Sequence, residues 1–228
     1  MNDFIINNLN YNNILNDFSI TIKKESFVTI VGPNDCGKTT LLRSIENIKN
    51  VKTVIPKEII FETNTLENEL LINNIDINKI SDKWDKRLLK KQFSKMTEKE
   101  IVLSQIVLAV ESNKDVIFID DISSFFSLNE RKKIWNIIKN IIVKKPKIVV
   151  YLSILLDDSL FFQRLYIMDN GKIVMEDEPH NIIIKDNVLN KIGLKLPFMV
   201  DLSVKLQDYN LIDSLELDTD RMVDKLWN

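Results

Sequence analysis

Gly32, Pro33, Asn34, Asp35, Cys36, Gly37, Lys38, Thr39 and Thr40 form one unbroken run that satisfies the spacing G-x-x-x-x-G-K-[ST]. That spacing suits phosphate chemistry. Backbone N–H groups of a glycine-bounded loop, and of the helix that follows it, point at anionic oxygens. Lys38 supplies a point charge to the outer phosphates, and the Thr39 hydroxyl is a ligand for magnesium. A plain glycine turn would account for two glycines, but it offers no packing reason for Lys-Thr after the second. A second group is the acid pair Asp120 and Asp121, which ends the apolar stretch 116–119. Acids at the carboxyl end of a central strand lie where α/β sheets bind ligands. There Asp120 would hold magnesium, directly or through water, and Asp121 would stand next to an attacking water. Cys36 admits two readings: a thiol made reactive by a helix N-terminus, or a small residue where serine would also fit. Asp35 either weakens phosphate binding by its charge or points outward.

These residues need elements to position them. Residues 27–31 (FVTIV) read as a β-branched strand before the loop, and 39–45 as a helix after it. Strand, loop, helix is the context that gives the glycine-lysine spacing its meaning. Residues 115–121 read as a buried parallel strand ending in the two acids. Further elements are a strand at 18–22, helices at 98–110 and 129–143, a strand at 147–153, a short helix and strands at 165–168 and 172–174. The last two are joined by Asp169-Asn170-Gly171, a strong hairpin signal. Thr97 and Glu100 have capping-box spacing before the helix at 98.

Composition limits the alternatives. A chain of 228 residues with 45% hydrophobic and 28% charged residues suits one large α/β domain, or one domain with a small appendage. No run of about 20 apolar residues is present to span a bilayer. The first residues lack a basic region followed by an apolar core, so no secretory signal is expected. One cysteine excludes an internal disulfide and a Cys-rich zinc site. The single histidine, His180, leaves little for histidine-based catalysis and reads as a surface loop residue. A net charge of −2 argues against a general nucleic-acid binder.

Taken together, the motifs resemble ATP-binding-cassette (ABC) ATPases. The 116–127 stretch is similar to the Walker B and D-loop region, where the usual pattern is four apolar residues and then D-E-P-T-S-A-L-D. Gln92-Phe93-Ser94-Lys95-Met96-Thr97 stands where the signature L-S-G-G-Q belongs, with Ser94 matching; a helix cap is an equal explanation of Thr97. Tyr11 stands where the family stacks an aromatic on adenine, or is a half-buried tyrosine at a strand edge. The tail has a G-L-x-x-P-F pattern from Gly193 to Phe198, a helix, and an acidic amphipathic helix ending in Leu226-Trp227. It resembles the tail of the ATPase subunits of energy-coupling factor transporters, which import vitamins, cobalt or nickel.

The resemblance implies an α/β, P-loop NTPase fold of the ABC type, with an antiparallel β subdomain, a short helical subdomain near 64–96 and a small C-terminal helical extension at 186–228 after a cassette of 1–185. It implies ATP and Mg2+ as cofactors. ATP would be bound through Tyr11, Gly32, Pro33, Asn34, Asp35, Cys36, Gly37, Lys38, Thr39, Thr40 and, toward a partner, Ser94; Thr39 and Asp120 would hold the metal and Asp121 would act catalytically. It further implies a second ABC ATPase subunit as heterodimer partner, a transmembrane coupling subunit, a substrate-binding membrane subunit, no nucleic acid, and a peripheral place at the cytoplasmic face of the cell membrane. The helical subdomain would meet the membrane subunit, or else present a solvated face.

Four departures fall on the chemistry. Asp121 replaces the glutamate after Walker B, Lys95 and Met96 replace two signature glycines, Lys57 or a neighbour stands at the glutamine loop (54–58), and Ile154 replaces the switch histidine. General-base positioning contributes about 10²- to 10⁴-fold, and a misplacement of about 1 Å can lower rates on the order of 10²-fold. Hydrolysis at this subunit's own loop is therefore expected to be slow or absent, while binding is retained. The rival expectation is a non-transport nucleotide-binding regulator or scaffold of the same family.

Overall fold

The structure is a computed structural model and describes residues 2–58, 60–214, 216 and 219–227. Its centre is a six-stranded sheet in the order β4-β5-β6-β3-β7-β8. These are β3 (Phe27–Val31), β4 (Val51–Val54), β5 (Val116–Ile119), β6 (Ile148–Ser153), β7 (Arg164–Asp169) and β8 (Lys172–Asp177). The first five run parallel and β8 is antiparallel to β7. β3, β5 and β6 are buried at every position. That is why they read as unbroken apolar runs: a parallel sheet covered on both faces has no polar side.

One face is covered by α4 (Glu98–Glu111) and α5 (Leu128–Lys144), with Trp135, Tyr151, Phe27 and Phe162 at the centre of the packing. Both helices begin with capping boxes, Thr97 with Glu100 and Ser127 with Glu130. Each box satisfies two N–H groups that the first turn leaves open. The other face is covered by α1 (Lys38–Ile45) and by a separate antiparallel hairpin of β1 (Phe4–Tyr11) and β2 (Leu15–Ile22). Asn12 and Asn13 sit at φ 51° and 56° between these strands, which suits a tight hairpin turn.

The hairpin of β7 and β8 turns at Asn170 and Gly171, as the dipeptide predicts. Gly171 has φ 74°, and a Cβ there would lie 1.9 Å from the Ile14 carbonyl oxygen. The glycine thus lets the turn press against the β1–β2 hairpin, while its N–H donates to the Cys36 carbonyl at 2.9 Å. The short helix expected before β7 is a 3-10 segment, Leu156–Phe161.

Residues 66–95 carry α2 (Leu66–Ile72), α3 (Arg87–Lys90) and 3-10 turns at Ile77–Lys79 and Phe93–Lys95. Glu111, buried at the end of α4, anchors this region. Its carboxylate accepts from the Ser81 N–H and the Trp84 indole N–H, each at 3.0 Å, and from Lys145 at 2.7 Å. After β8 come α6 (Pro179–Ile183), α7 (Asp186–Lys191), α8 (Phe198–Asp208) and α9 (Thr219–Trp227). Leu189 and Leu194 pack with Val31, Leu165 and Ile167, so apolar packing continues across position 185. The expected extension at 186–228 includes residues 215, 217, 218 and 228, which lie outside the described residues.

Candidate nucleotide site

The loop 32–37 links buried β3 to α1 and lines a cleft of about 490 Å³. Gly37 has φ 107°, a conformation that L side chains rarely adopt. Lys38 is buried, and its ammonium donates to the Gly32 and Pro33 carbonyls at 2.7 and 2.8 Å. Among the described residues no acceptor takes the N–H of Asp35, Cys36 or Gly37. The first N–H groups of α1 also lack intrahelical partners by construction. Open N–H donors, a lysine and the Thr39 hydroxyl on one cleft wall form a donor set that fits a phosphate chain. Asp120 and Asp121 line the same cleft. Thr39 and Asp120 have the oxygen chemistry that a magnesium ion takes when phosphates complete its shell. No group of three or more acidic, Cys or His side chains fit to hold a metal occurs among the described residues.

Asp120 is fixed by its N–H, which donates to the Val54 carbonyl at 2.8 Å. Burial pushes its carboxyl above the usual carboxylate range, and the neighbouring Asp121 charge adds to that push. The Asp121 N–H and the charges of Lys38 and Lys57 work against it. Asp121 has other engagements. One carboxylate oxygen accepts from the Ser123 N–H at 2.7 Å and from the Tyr151 hydroxyl at 3.4 Å. The other accepts from the Ile154 N–H at 3.1 Å. The side chain therefore ties the end of β5 to the end of β6, and Ile154 presents an apolar side chain to the cleft.

The cleft gathers Asn34, Asp35, Gly37, Lys38, Thr39, Thr40, Asp120 and Asp121 of the expected residues. Asp35 is exposed at φ 63° and lines the cleft. Gly32 lies beneath the loop, where a Cβ would meet the Met168 carbonyl oxygen at 2.3 Å. Cys36 is buried in the apolar cluster under the loop, with Sγ 3.5 Å from the Lys38 ammonium. That favours its reading as a small packed residue.

One expectation, the loop placement of His180, is corrected. Tyr11 is half-buried against the β1–β2 packing and does not line the cleft, whereas Ile14 from the same hairpin does. The strand pairing directs Tyr11 toward the core and leaves the turn residue facing the loop. His180 is exposed in the first turn of α6 rather than in a loop. Ser94 is exposed in a 3-10 turn outside the cleft, and Thr97 is engaged as a helix cap. Ile14, the turn 55–58, Ser123, Ser124 and Ile154 complete the lining. An apolar residue after two asparagines in the turn 12–14 was the one sequence signal for Ile14.

A sequence profile of the family described as ABC transporter matches residues 15–181. The chain belongs to the ABC transporter family. Within that family it is similar to energy-coupling factor transporter ATP-binding proteins. It is 23% identical to EcfA of Enterococcus faecium, over 93% of this chain and 90% of that protein. Against EcfA1 of Clostridioides difficile it is 22% identical, over 93% and 91%. A shorter match, 28% identical to EcfA1 of Lactobacillus acidophilus, covers 49% of this chain and 38% of that relative, so it spans less than half of that protein. Among solved structures, cbiO1 from Clostridium perfringens, part of the ABC transporter complex cbiONQ, superposes with a TM-score of 0.68 at 14% identity, over 85% of this chain and 95% of that one. The ATP-binding cassette MJ0796, a dimer bound to ADP and Pi, gives 0.61 at 16% identity, over 78% and 95%. These likenesses show the ABC nucleotide-binding fold. No helix among the described residues is long and apolar enough to cross a membrane.

Proposed function

We propose that this ABC ATPase subunit binds ATP for an energy-coupling-factor-type importer of vitamins or metal ions and turns ATP over slowly or not at all at its own loop. The observation that carries the second half is the engagement of Asp121 with Ser123, Tyr151 and Ile154. A carboxylate that joins β5 to β6 in this way is poorly placed to take a proton from water. Ile154 adds no polar contact for a terminal phosphate.

In this reading the loop amides and Lys38 bind and orient the phosphates. Thr39 and Asp120 would hold Mg2+, which when bound neutralises charge on the outer phosphate oxygens. Ser94 and Lys95 are exposed, as they must be to face a nucleotide carried by a second subunit. The partners this reading calls for are a second ABC ATPase in a heterodimer, a transmembrane coupling subunit and a substrate-binding membrane subunit, with this chain peripheral at the cytoplasmic face. Residues 1–185 form the cassette in this account, with the helical subdomain about 64–96, and 186–228 an extension.

Isothermal titration of the full chain with Mg-ATP tests the binding half. Binding at millimolar ATP or tighter is expected, with loss on Lys38→Ala. No heat of binding at millimolar ATP, or binding indifferent to Lys38→Ala, refutes it.

A further inference from the structure

The cleft holds a second lysine whose turn is tied to Asp120 on one side and to the helix after the phosphate loop on the other. Lys57 sits in the turn 55–58, closed by the Glu58 N–H donating to the Ile55 carbonyl at 2.9 Å. On one side this turn follows Val54, whose carbonyl receives the Asp120 N–H. On the other, the Glu58 carboxylate pairs with Arg43 of α1, the helix that continues the phosphate loop. That pairing also gives the acid next to Lys57 a different partner. Among the described residues no acceptor takes a hydrogen bond from the Lys57 ammonium, yet the residue lines the cleft with Lys38, Thr39 and Asp120. Its charge is felt at Asp120. By contrast, the Lys38 ammonium is already held by two carbonyls.

Resting on the nucleotide reading above, we propose that Lys57 is a second phosphate-binding cation, and that its fixed charge gives this site an affinity for ATP that depends little on magnesium. An ammonium here does two things. It donates charge-assisted hydrogen bonds to phosphate oxygens. It would also oppose a divalent cation held by Thr39 and Asp120, because a like charge in the same cleft raises the energy of the bound ion. A neutral side chain at this position would do neither.

The test is titration of the full chain with ATP in excess Mg2+ and in EDTA, followed by calorimetry, for the unaltered protein, Lys57→Gln and Lys57→Arg. Removing the metal is expected to weaken binding by the unaltered protein less than about threefold. Lys57→Gln loses about tenfold without metal, the value of one charge-assisted bond, and clearly less with it. Lys57→Arg keeps the metal-independent binding. If the unaltered protein binds Mg-ATP but loses tenfold or more in EDTA, as Lys57→Gln does, this inference falls and the nucleotide reading stands. Absence of binding in both conditions overturns both.

Discussion

Arg131 and Asp158 form an ion pair with side-chain exposures of 5% and 0%. Arg131 Nε donates to both Asp158 oxygens at 2.9 Å, and Nη1 donates to the Phe126 carbonyl at 2.6 Å. The pair thus joins the segment after Asp121 to the 3-10 segment after Ile154, two stretches that border the cleft. Arg131→Met removes three donated bonds and leaves a carboxylate buried among apolar atoms. Breaking such a pair from one side costs about 3–5 kcal/mol, which in a domain of this size lowers Tm by roughly 6–20 °C. The cost has a pH signature. Burial already raises the Asp158 carboxyl above its usual range, and Arg131 is what opposes the push. A carboxyl with a higher pKa folded than unfolded favours the fold while protonated, and that contribution is lost as pH rises through the folded value. Without Arg131 the folded value climbs further, so the destabilisation is largest at neutral pH and shrinks as pH falls. Replacing both partners, Arg131→Met with Asp158→Leu, leaves chiefly the Phe126 carbonyl unsatisfied, at about 1–3 kcal/mol. Thermal and urea melts of the three variants at neutral and mildly acidic pH give the measurement. A double variant at least as damaged as the sum of the singles, or an Arg131→Met cost that grows toward acid, would refute the reasoning.

Gly171→Ala places a Cβ against the Ile14 carbonyl at positive φ; it is expected to cost about 1–3 kcal/mol or more in melts, since strain and backbone overlap add. Glu111→Ala removes the acceptor for Ser81, Trp84 and Lys145. Amide exchange should then accelerate selectively in residues 75–95, and uniform acceleration across the sheet would contradict the anchoring role. In the assembled complex, Asp121→Glu alone should raise phosphate release little, because Ile154 leaves the site without its polar contact. Asp121→Glu with Ile154→His should raise it more than either change alone, and equal effects of the single and double variants would argue against the shared site.

The strand β3, the loop, α1 and the pair at 120–121 were legible because each carries a local signal: a β-branched run, fixed glycine and lysine spacing, and acids after an apolar strand. The helix caps at Thr97 and Ser127 obey equally local rules, each with a glutamate three residues on. β1 and β4 carry no such local signal. β1 is rich in asparagine and is stabilised by pairing with β2 rather than by its own propensity, and β4 has four residues at the end of the sheet order. The role of Asp121 was not legible at all, since its three donors come from residues 123, 151 and 154 and only folding brings the last two to it. The placement of Tyr11 depends on folding in the same way. Its position in the chain suits an adenine contact, but hairpin register decides which residue faces the cleft.

The central claim is that this subunit holds ATP without consuming it. The direct measurement is to assemble the complex with its partner ATPase, supply a photoactivatable ATP analogue with magnesium, crosslink during turnover, and separate the subunits to identify the nucleotide on each. The account predicts triphosphate on this chain and diphosphate accumulating on the partner, with labelling of this chain lost on Lys38→Ala. Diphosphate appearing on this chain as fast as on the partner, or no label on it at all, would contradict the account.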